Sequence, residues 1–92
     1  MYKYDLHIHT AEVSACSKLS GADMVREYRK IGYSGIVITD HYFKPYFDSL
    51  GGMEWEDKVD CYMTGYKNAL IEGKKDDFVV LFGIELSFYY HA

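Results

Sequence analysis

The sequence predicts an α/β fold in which parallel strands and helices alternate in the order β-α-β-α-β. The first strand, residues 2–9, alternates apolar and polar side chains. Two later runs, 35–39 and 78–82, are apolar without alternation, which is typical of strands in a parallel sheet. Segments with helical spacing, 20–32 and 54–72, lie between these strands. Because parallel crossovers are right-handed, we expect three adjacent strands with the helices outside the sheet.

The composition of the 92 residues is that of one small domain with a packed core. Hydrophobic residues make up 49% and charged residues 26%, values far from those of a disordered chain. The net charge is −4 and no basic cluster extends beyond Lys74-Lys75, so the charge pattern of a nucleic-acid-binding surface is missing. No apolar run has the length of a signal peptide or a membrane span, and we therefore expect a cytoplasmic protein without a membrane partner.

The first strand and the first helix carry clear signals in their sequence. The strand has an apolar face with Tyr2, Tyr4, Leu6 and Ile8 and a polar face with Lys3, Asp5, His7 and His9. Ser20 can cap the N-terminus of the helix, with Asp23 three residues later as in a capping box. Gly32 can end the helix in a left-handed conformation.

The second half of the chain predicts a long loop, a long helix and a third strand. Residues 42–53 contain the only proline, Pro45, and a Gly-Gly pair, which favours a connecting loop. The helix over 54–72 has one apolar stripe and would end at Gly73. The strand over 78–82 is expected to be buried on both faces.

Two histidines on the first strand predict a metal site. His7 and His9 are two residues apart, so their Cβ atoms lie on one face, about 6.5–7 Å from each other. Imidazole nitrogens bind zinc and related divalent metals at about 2.0–2.1 Å, so one ion can take both rings. Asp5 on the same predicted face is placed to orient a ligand imidazole from outside the coordination sphere. The alternatives are a solvated polar strand face for the histidines and a surface acid for Asp5.

Each of the other two predicted strands is followed by residues that can also bind a metal ion. Asp40 and His41 directly follow the second strand, and Glu85 follows the third. Active sites of parallel α/β folds are built at the carboxyl ends of the strands. A buried, unpaired Glu85 would be costly, and a metal ion would remove that cost. A solvated glutamate is the alternative, but all three strands bring metal-type residues to one end.

These residues resemble the first motifs of a known family. The segments 5–10 (DLHIHT), 38–41 (ITDH) and 83–85 (GIE) are similar, in sequence and in order, to those of the PHP (polymerase and histidinol phosphatase) domain. The similarity extends along essentially the whole chain. It implies a distorted seven-stranded barrel related to the TIM barrel, of which residues 1–92 would be the N-terminal part as a single partial domain.

The resemblance also implies a function and roles for individual residues. His7 and His9 would bind one ion, Glu85 would bridge two, His41 would bind a third, and Asp40 would be a catalytic-site residue supporting the ligands from outside. The ions would be zinc, manganese or iron, up to three in a complete site. Family members hydrolyse phosphoesters, so we expect a phosphatase that acts on small phosphorylated substrates with metal-activated water.

The chain departs from the family pattern in two respects. Many members have a further His or Asp ligand shortly after the first motif, where this chain has Ser14-Ala15-Cys16-Ser17. Cys16 is either a substitute ligand or, as we expect, a loop thiol. The chain also ends at Ala92, before the later histidines and the closing D-x-H motif of the family. His91 has no supporting motif, and we leave it out of the predicted site.

Two further questions stay open at this point. Three strands leave an unpaired sheet edge, and the explanations are a truncated gene product, an expressed fragment, or subunits that associate as a homo-oligomer to cover the edge. The rival to a phosphoesterase is a non-catalytic metal-binding or assembly module. A polymerase-associated domain acting on nucleic acid is disfavoured by the acidic charge balance.

Overall fold

The chain folds into parallel strands covered on one side by helices, a mixed α/β architecture. The computed structural model describes residues 2–14, 16–42 and 44–86. The strands are β1 (Tyr4–Ile8), β2 (Gly35–Ile38), β3 (His41–Tyr42), β4 (Val79–Phe82) and β5 (Glu85–Leu86). The helices are α1 (Gly21–Lys30), α2 (Lys44–Ser49), α3 (Trp55–Tyr62) and α4 (Thr64–Gly73).

The strands form two open sheets. In the first, β1, β2 and β4 are neighbours in that order and all pairs are parallel, which confirms the predicted arrangement of three adjacent parallel strands. In the second, β3 pairs with β5, also in parallel. Over the described residues neither sheet closes into a barrel. The described residues therefore form an open α/β unit.

The main core lies between the three-stranded sheet and the helices α1 and α4. Both helices pack against the sheet and against each other. The core is formed by the following buried residues: Ile8, Val25, Ile36, Ile38, Ala69, Phe78 and Val80. The expected burial of the third strand on both faces is wrong, because Leu81 is 50% exposed while Val80 is buried. Helices cover one face of β4, and no other described segment covers its second face.

The first helix agrees with its sequence signals. Its N-cap is Ser20, whose hydroxyl accepts a hydrogen bond from the backbone N–H of Asp23. Gly32 follows the helix with a φ of 88°, a left-handed conformation that glycine adopts without a steric penalty. The predicted boundaries of α1 are confirmed.

The second half of the chain differs from its prediction in two ways. The helix expected over 54–72 is two helices, separated at Met63, where the hydroxyl of Thr64 donates to the carbonyl of Cys61 near the end of α3. The expected loop over 42–53 contains the short helix α2, which accommodates Pro45 in its first turn, where no intrahelical N–H donor is lost. Within the described segments, no helix has the length and apolar composition needed to cross a membrane.

Candidate metal centre

A bulge in β1 decides which way its side chains point. Asp5 pairs with Ile36 and Ile8 pairs with Ile38, so β1 has one residue more than β2 over this stretch. Both Asp5 and Ile8 therefore face the helix layer. Ile8 lies in the main core, and the carboxylate of Asp5 accepts a hydrogen bond from the Tyr28 hydroxyl of α1. The side chains of β1 therefore do not alternate strictly between the two faces of the sheet.

The bulge corrects the expected position of Asp5. Its Oδ1 accepts a hydrogen bond from the backbone N–H of His7 at 3.0 Å, and its Oδ2 accepts one from Tyr28 at 2.6 Å. Burial and this second hydrogen bond raise the pKa of Tyr28 to about 12. Asp5 thus holds the backbone at His7 and ties β1 to α1, instead of orienting a ligand imidazole directly.

The short sheet of β3 and β5 places two of the predicted ligands side by side. His41 and Glu85 are directly opposed in the parallel register. The backbone N–H of Glu85 donates to the carbonyl of Asp40 at 3.3 Å, just beyond the ends of β2 and β4. His41 and Glu85 therefore lie at the carboxyl end of the main sheet, where β1 also ends.

Glu85 is the centre of a cluster with three histidines. Its Oε1 lies 2.9 Å from Nε2 of His7, and its Oε2 lies 2.5 Å from Nδ1 of His41 and 3.4 Å from Nε2 of His9. The ring centroids of His7 and His9 are 4.8 Å apart, and those of His9 and His41 are 4.2 Å apart. The structure thus brings together the four side chains that the sequence proposes as ligands.

Asp40 is buried beside this cluster and organises the loop that follows β1. Its carboxylate accepts hydrogen bonds from the Thr10 backbone N–H at 2.6 Å, the Thr10 hydroxyl at 2.7 Å and the Ser14 hydroxyl at 2.8 Å. Its backbone carbonyl accepts a hydrogen bond from the Tyr62 hydroxyl, and burial raises the pKa of that tyrosine. Asp40 therefore supports the backbone on either side of the cluster through the loop and β3.

The loop after β1 adds a residue that the sequence-based site leaves out. The Sγ of Cys16 lies 3.2 Å from Nδ1 of His9. The signal in the sequence is a soft ligand seven residues after the His-x-His pair, and the pattern alone does not say how the loop folds back. Cys16 and His41 also line a cavity of about 470 Å³, whose other walls are Val13, Ser14, Pro45, Tyr46 and Ser49.

The charge state of His9 suits metal binding. Burial lowers the pKa of His9, and the neighbouring His41 lowers it further, so the neutral imidazole is favoured. Neutral imidazole is the form that binds metals. The Nε2 atom of His9 is buried and has no hydrogen-bond partner among the residues that the structure describes.

The residues fit a divalent ion on geometric grounds. His7, His9 and Glu85 each offer a ligand atom within 4.8 Å of the others, and His9, Cys16 and His41 do the same. Two ligands of a tetrahedral ion at about 2.1 Å lie about 3.4 Å apart. The distance between Nε2 of His9 and Oε2 of Glu85 is 3.4 Å. A metal ion between these two atoms would bind the Nε2 nitrogen of His9, which forms no hydrogen bond within the described part of the chain.

His91 lies outside the described residues.

Comparison of the chain with protein-family models, curated proteins and solved structures found no match.

Proposed function

We propose that this chain is the N-terminal part of a PHP-type metal-dependent phosphoesterase, built as part of a distorted TIM-like barrel. The observation that supports the proposal most is the contact of one carboxylate, Glu85, with three imidazoles, which lie in β1, directly after it and in β3. The cluster lies at the carboxyl end of a parallel sheet, which is the usual location of an active site in α/β folds. The motif resemblance supplies the reaction class.

In this proposal His7, His9, His41 and Glu85 hold zinc, manganese or iron. Bound metal would polarise the phosphoryl oxygen, neutralise developing charge and make water nucleophilic at neutral pH. Asp40 holds the loop with Thr10 in position.

The cavity beside the cluster fits the proposed substrate class. Its walls are mostly apolar and include Val13, Pro45 and Tyr46. His41, which belongs to the cluster, also lines the cavity. A small phosphorylated organic molecule can thus place its phosphate at the ligands and its organic part in the cavity. In such a complex the apolar walls would contact the organic group, and the phosphoryl group would lie beside the histidines.

A phosphatase assay with p-nitrophenyl phosphate and added Zn²⁺ or Mn²⁺ tests the proposal. We expect metal-dependent release of nitrophenol by the wild-type chain and its loss in Glu85→Gln, because the bridging carboxylate is removed. Glu56→Gln is the matched control, since Glu56 is an exposed acid outside the cluster. Hydrolysis that survives in Glu85→Gln, or that is absent at every metal concentration, contradicts the proposal.

The second candidate is a non-catalytic metal-binding module. The observation that favours it is that the cluster joins β1, β3 and β5, so an ion there would link three separate segments. In that case metal raises the melting temperature, no phosphomonoester is hydrolysed, and His7→Ala changes the melting temperature alone.

A further inference from the structure

We propose that Cys16 is a thiolate ligand that, with His9 and His41, forms a subsite for a borderline-soft divalent cation such as Zn²⁺. The inference rests on the metal centre proposed above and deepens it, because it names a fifth ligand and the class of metal. The sequence favours a loop thiol at this position, and the structure gives the reason to revise that interpretation.

The first argument is geometric. Ligand atoms of Cys16, His9 and His41 lie within 4.8 Å of one another. The Sγ atom of Cys16 is 3.2 Å from Nδ1 of His9, close to the separation of about 3.5 Å expected for a sulfur and a nitrogen that share one tetrahedral zinc ion. The loop that carries Cys16 is held by the buried carboxylate of Asp40 through Thr10 and Ser14, so its approach to the histidines is fixed by the fold.

The second argument concerns the two nitrogens of one ring. Nδ1 of His9 faces Cys16, whereas Nε2 faces Glu85. The imidazole can therefore serve the Cys16 subsite through one nitrogen or the His7–Glu85 subsite through the other. His41 lies between them, in contact with Glu85 and close enough to Cys16 to bind the same ion.

The third argument is the accessibility of the subsite. Cys16 is an exposed free cysteine, and both it and His41 line the cavity of about 470 Å³. Three protein ligands with a position open to a cavity are the pattern of a catalytic zinc site, in which the fourth position takes water or substrate.

The ligand set predicts which metal is preferred. Thiolate and imidazole ligands favour zinc and its spectroscopic substitute Co²⁺, whereas Mn²⁺ and Mg²⁺ favour carboxylate and water oxygen. The thiolate, not the thiol, is the binding form, so loading the subsite releases a proton. We therefore expect Zn²⁺ to displace Co²⁺ from the subsite and Mn²⁺ not to do so.

Cobalt absorption spectroscopy tests the proposal without an activity assay. Addition of Co²⁺ to the full chain is expected to give a thiolate-to-cobalt charge-transfer band in the near ultraviolet. Cys16→Ser should lose the band and bind Co²⁺ at least about tenfold more weakly, because even the loss of a supporting group outside the coordination sphere costs that much. Cys16→His should recover the affinity without the band, which separates loss of a ligand from loss of the fold.

Cys61→Ser is the matched control, since Cys61 is the second free cysteine of the chain and lies in α3. It should keep both the band and the affinity. A band that is absent from wild-type protein with bound Co²⁺, that survives in Cys16→Ser, or that disappears in Cys61→Ser overturns the proposal, as does failure to bind Co²⁺.

The outcome is distinguishable from that of the proposed function. A charge-transfer band from Cys16 without phosphatase activity supports the thiolate ligand and contradicts the phosphoesterase. Metal-dependent hydrolysis without the band supports the phosphoesterase and overturns the role of Cys16.

Discussion

Asp40 organises the candidate site through the backbone around it. The side chain is 2% exposed and accepts three hydrogen bonds, two from Thr10 and one from Ser14. A buried carboxylate is costly unless its oxygens are satisfied, and here the donors come from the loop that follows β1. The position of that loop, and of Cys16 within it, therefore depends on Asp40. None of these hydrogen bonds involves Cys16 or a histidine.

We expect Asp40→Asn to lower the free energy of unfolding by about 1–3 kcal/mol, because the amide nitrogen cannot accept a hydrogen bond and leaves a buried donor without a partner. Urea denaturation at neutral pH measures the change. Asp48→Asn is the control, since Asp48 forms an exposed ion pair with Lys44 and should change stability by less than about 1 kcal/mol. Equal effects of the two substitutions would contradict the role of Asp40.

Single residues were predictable from the sequence only where the local pattern held. The proximity of His41 and Glu85 follows from their places after two parallel strands, and the register confirms that they are opposed. Asp5 was misplaced because the alternation rule does not anticipate the bulge in β1. The approach of Cys16 to His9 depends on a loop whose path is set by contacts distant in the sequence.

Between elements, α4 packs closely against the loop after β1. A Cβ atom added at Gly65 would lie 1.9 Å from the hydroxyl oxygen of Thr10. Thr10 in turn donates to Asp40, so this contact links α4 to the support of the cluster. Glycine is required there for space, since no positive φ is involved.

Gly65→Ala should therefore destabilise the protein, with overpacking costing about 1–3 kcal/mol and the better helix propensity of alanine offsetting about 1 kcal/mol of it. Thermal and urea unfolding measure the net change. At Gly52, an added Cβ meets no atom within 4 Å, so Gly52→Ala should leave stability within about 0.5 kcal/mol of the wild type. A Gly65→Ala variant as stable as Gly52→Ala would show that the helix can shift freely.

Glu72 joins α1 to α4 and predicts an acid-sensitive contact. The carboxylate is buried and is paired with Lys75, Arg26 and Arg29. The hydrogen bond from Lys75, with the nearby arginines, lowers the pKa of Glu72 below its ordinary value of 4.5. Its stabilising contribution is therefore complete above pH 4.5 and is lost as the pH falls through the lowered folded-state pKa.

Unfolding of the wild type and Glu72→Gln over an acidic pH series tests this contact. The wild type should be the more stable protein near neutral pH, and the difference should shrink as the pH falls below the ordinary carboxyl range. Comparison with the variant removes the effect of other carboxylates that titrate in the same range. A difference that is independent of pH would contradict an ionised Glu72 as the link between the helices.

Elements were predicted best where a sequence signal acts locally. The cap at Ser20 and the left-handed Gly32 define α1, and both are found as expected. The break at Met63 was missed because the apolar stripe over 54–72 continues across it, whereas Gly65, just after the break, packs against Thr10 of a distant loop. Periodicity predicts that a segment is helical and does not predict where tertiary contacts divide it.

At the scale of the whole molecule, residues 2–14, 16–42 and 44–86 leave the three-stranded sheet open at both edges and on one face. Strands β1 and β4 are the edges of the three-stranded sheet, and Leu6 and Leu81 on them are 69% and 50% exposed. The parallel topology could be predicted from the two apolar runs and the crossover rule. The exposure of β4 could not, because an apolar run does not reveal whether a second layer covers it.

We expect this exposed surface to cause self-association that increases with protein concentration, as unpaired apolar edges favour pairing with a second copy. Sedimentation velocity over a concentration series measures it. Leu81→Lys should weaken the association, because a charge at an edge strand opposes pairing, and Lys67→Arg on α4 is the control. A sedimentation coefficient that is constant and monomeric at all concentrations would contradict this expectation.

The account as a whole depends on four side chains from three strands binding a common metal centre, and calorimetric titration with Zn²⁺ tests this most directly. We predict saturable binding to the wild type that is weakened in Glu85→Gln, where only the Cys16 subsite keeps its ligands, and unchanged in Glu56→Gln. At about 100 times its dissociation constant, the ion should also stabilise the wild-type fold by about 2.7 kcal/mol. No binding to the wild type, or equal binding to both variants, would contradict the metal centre.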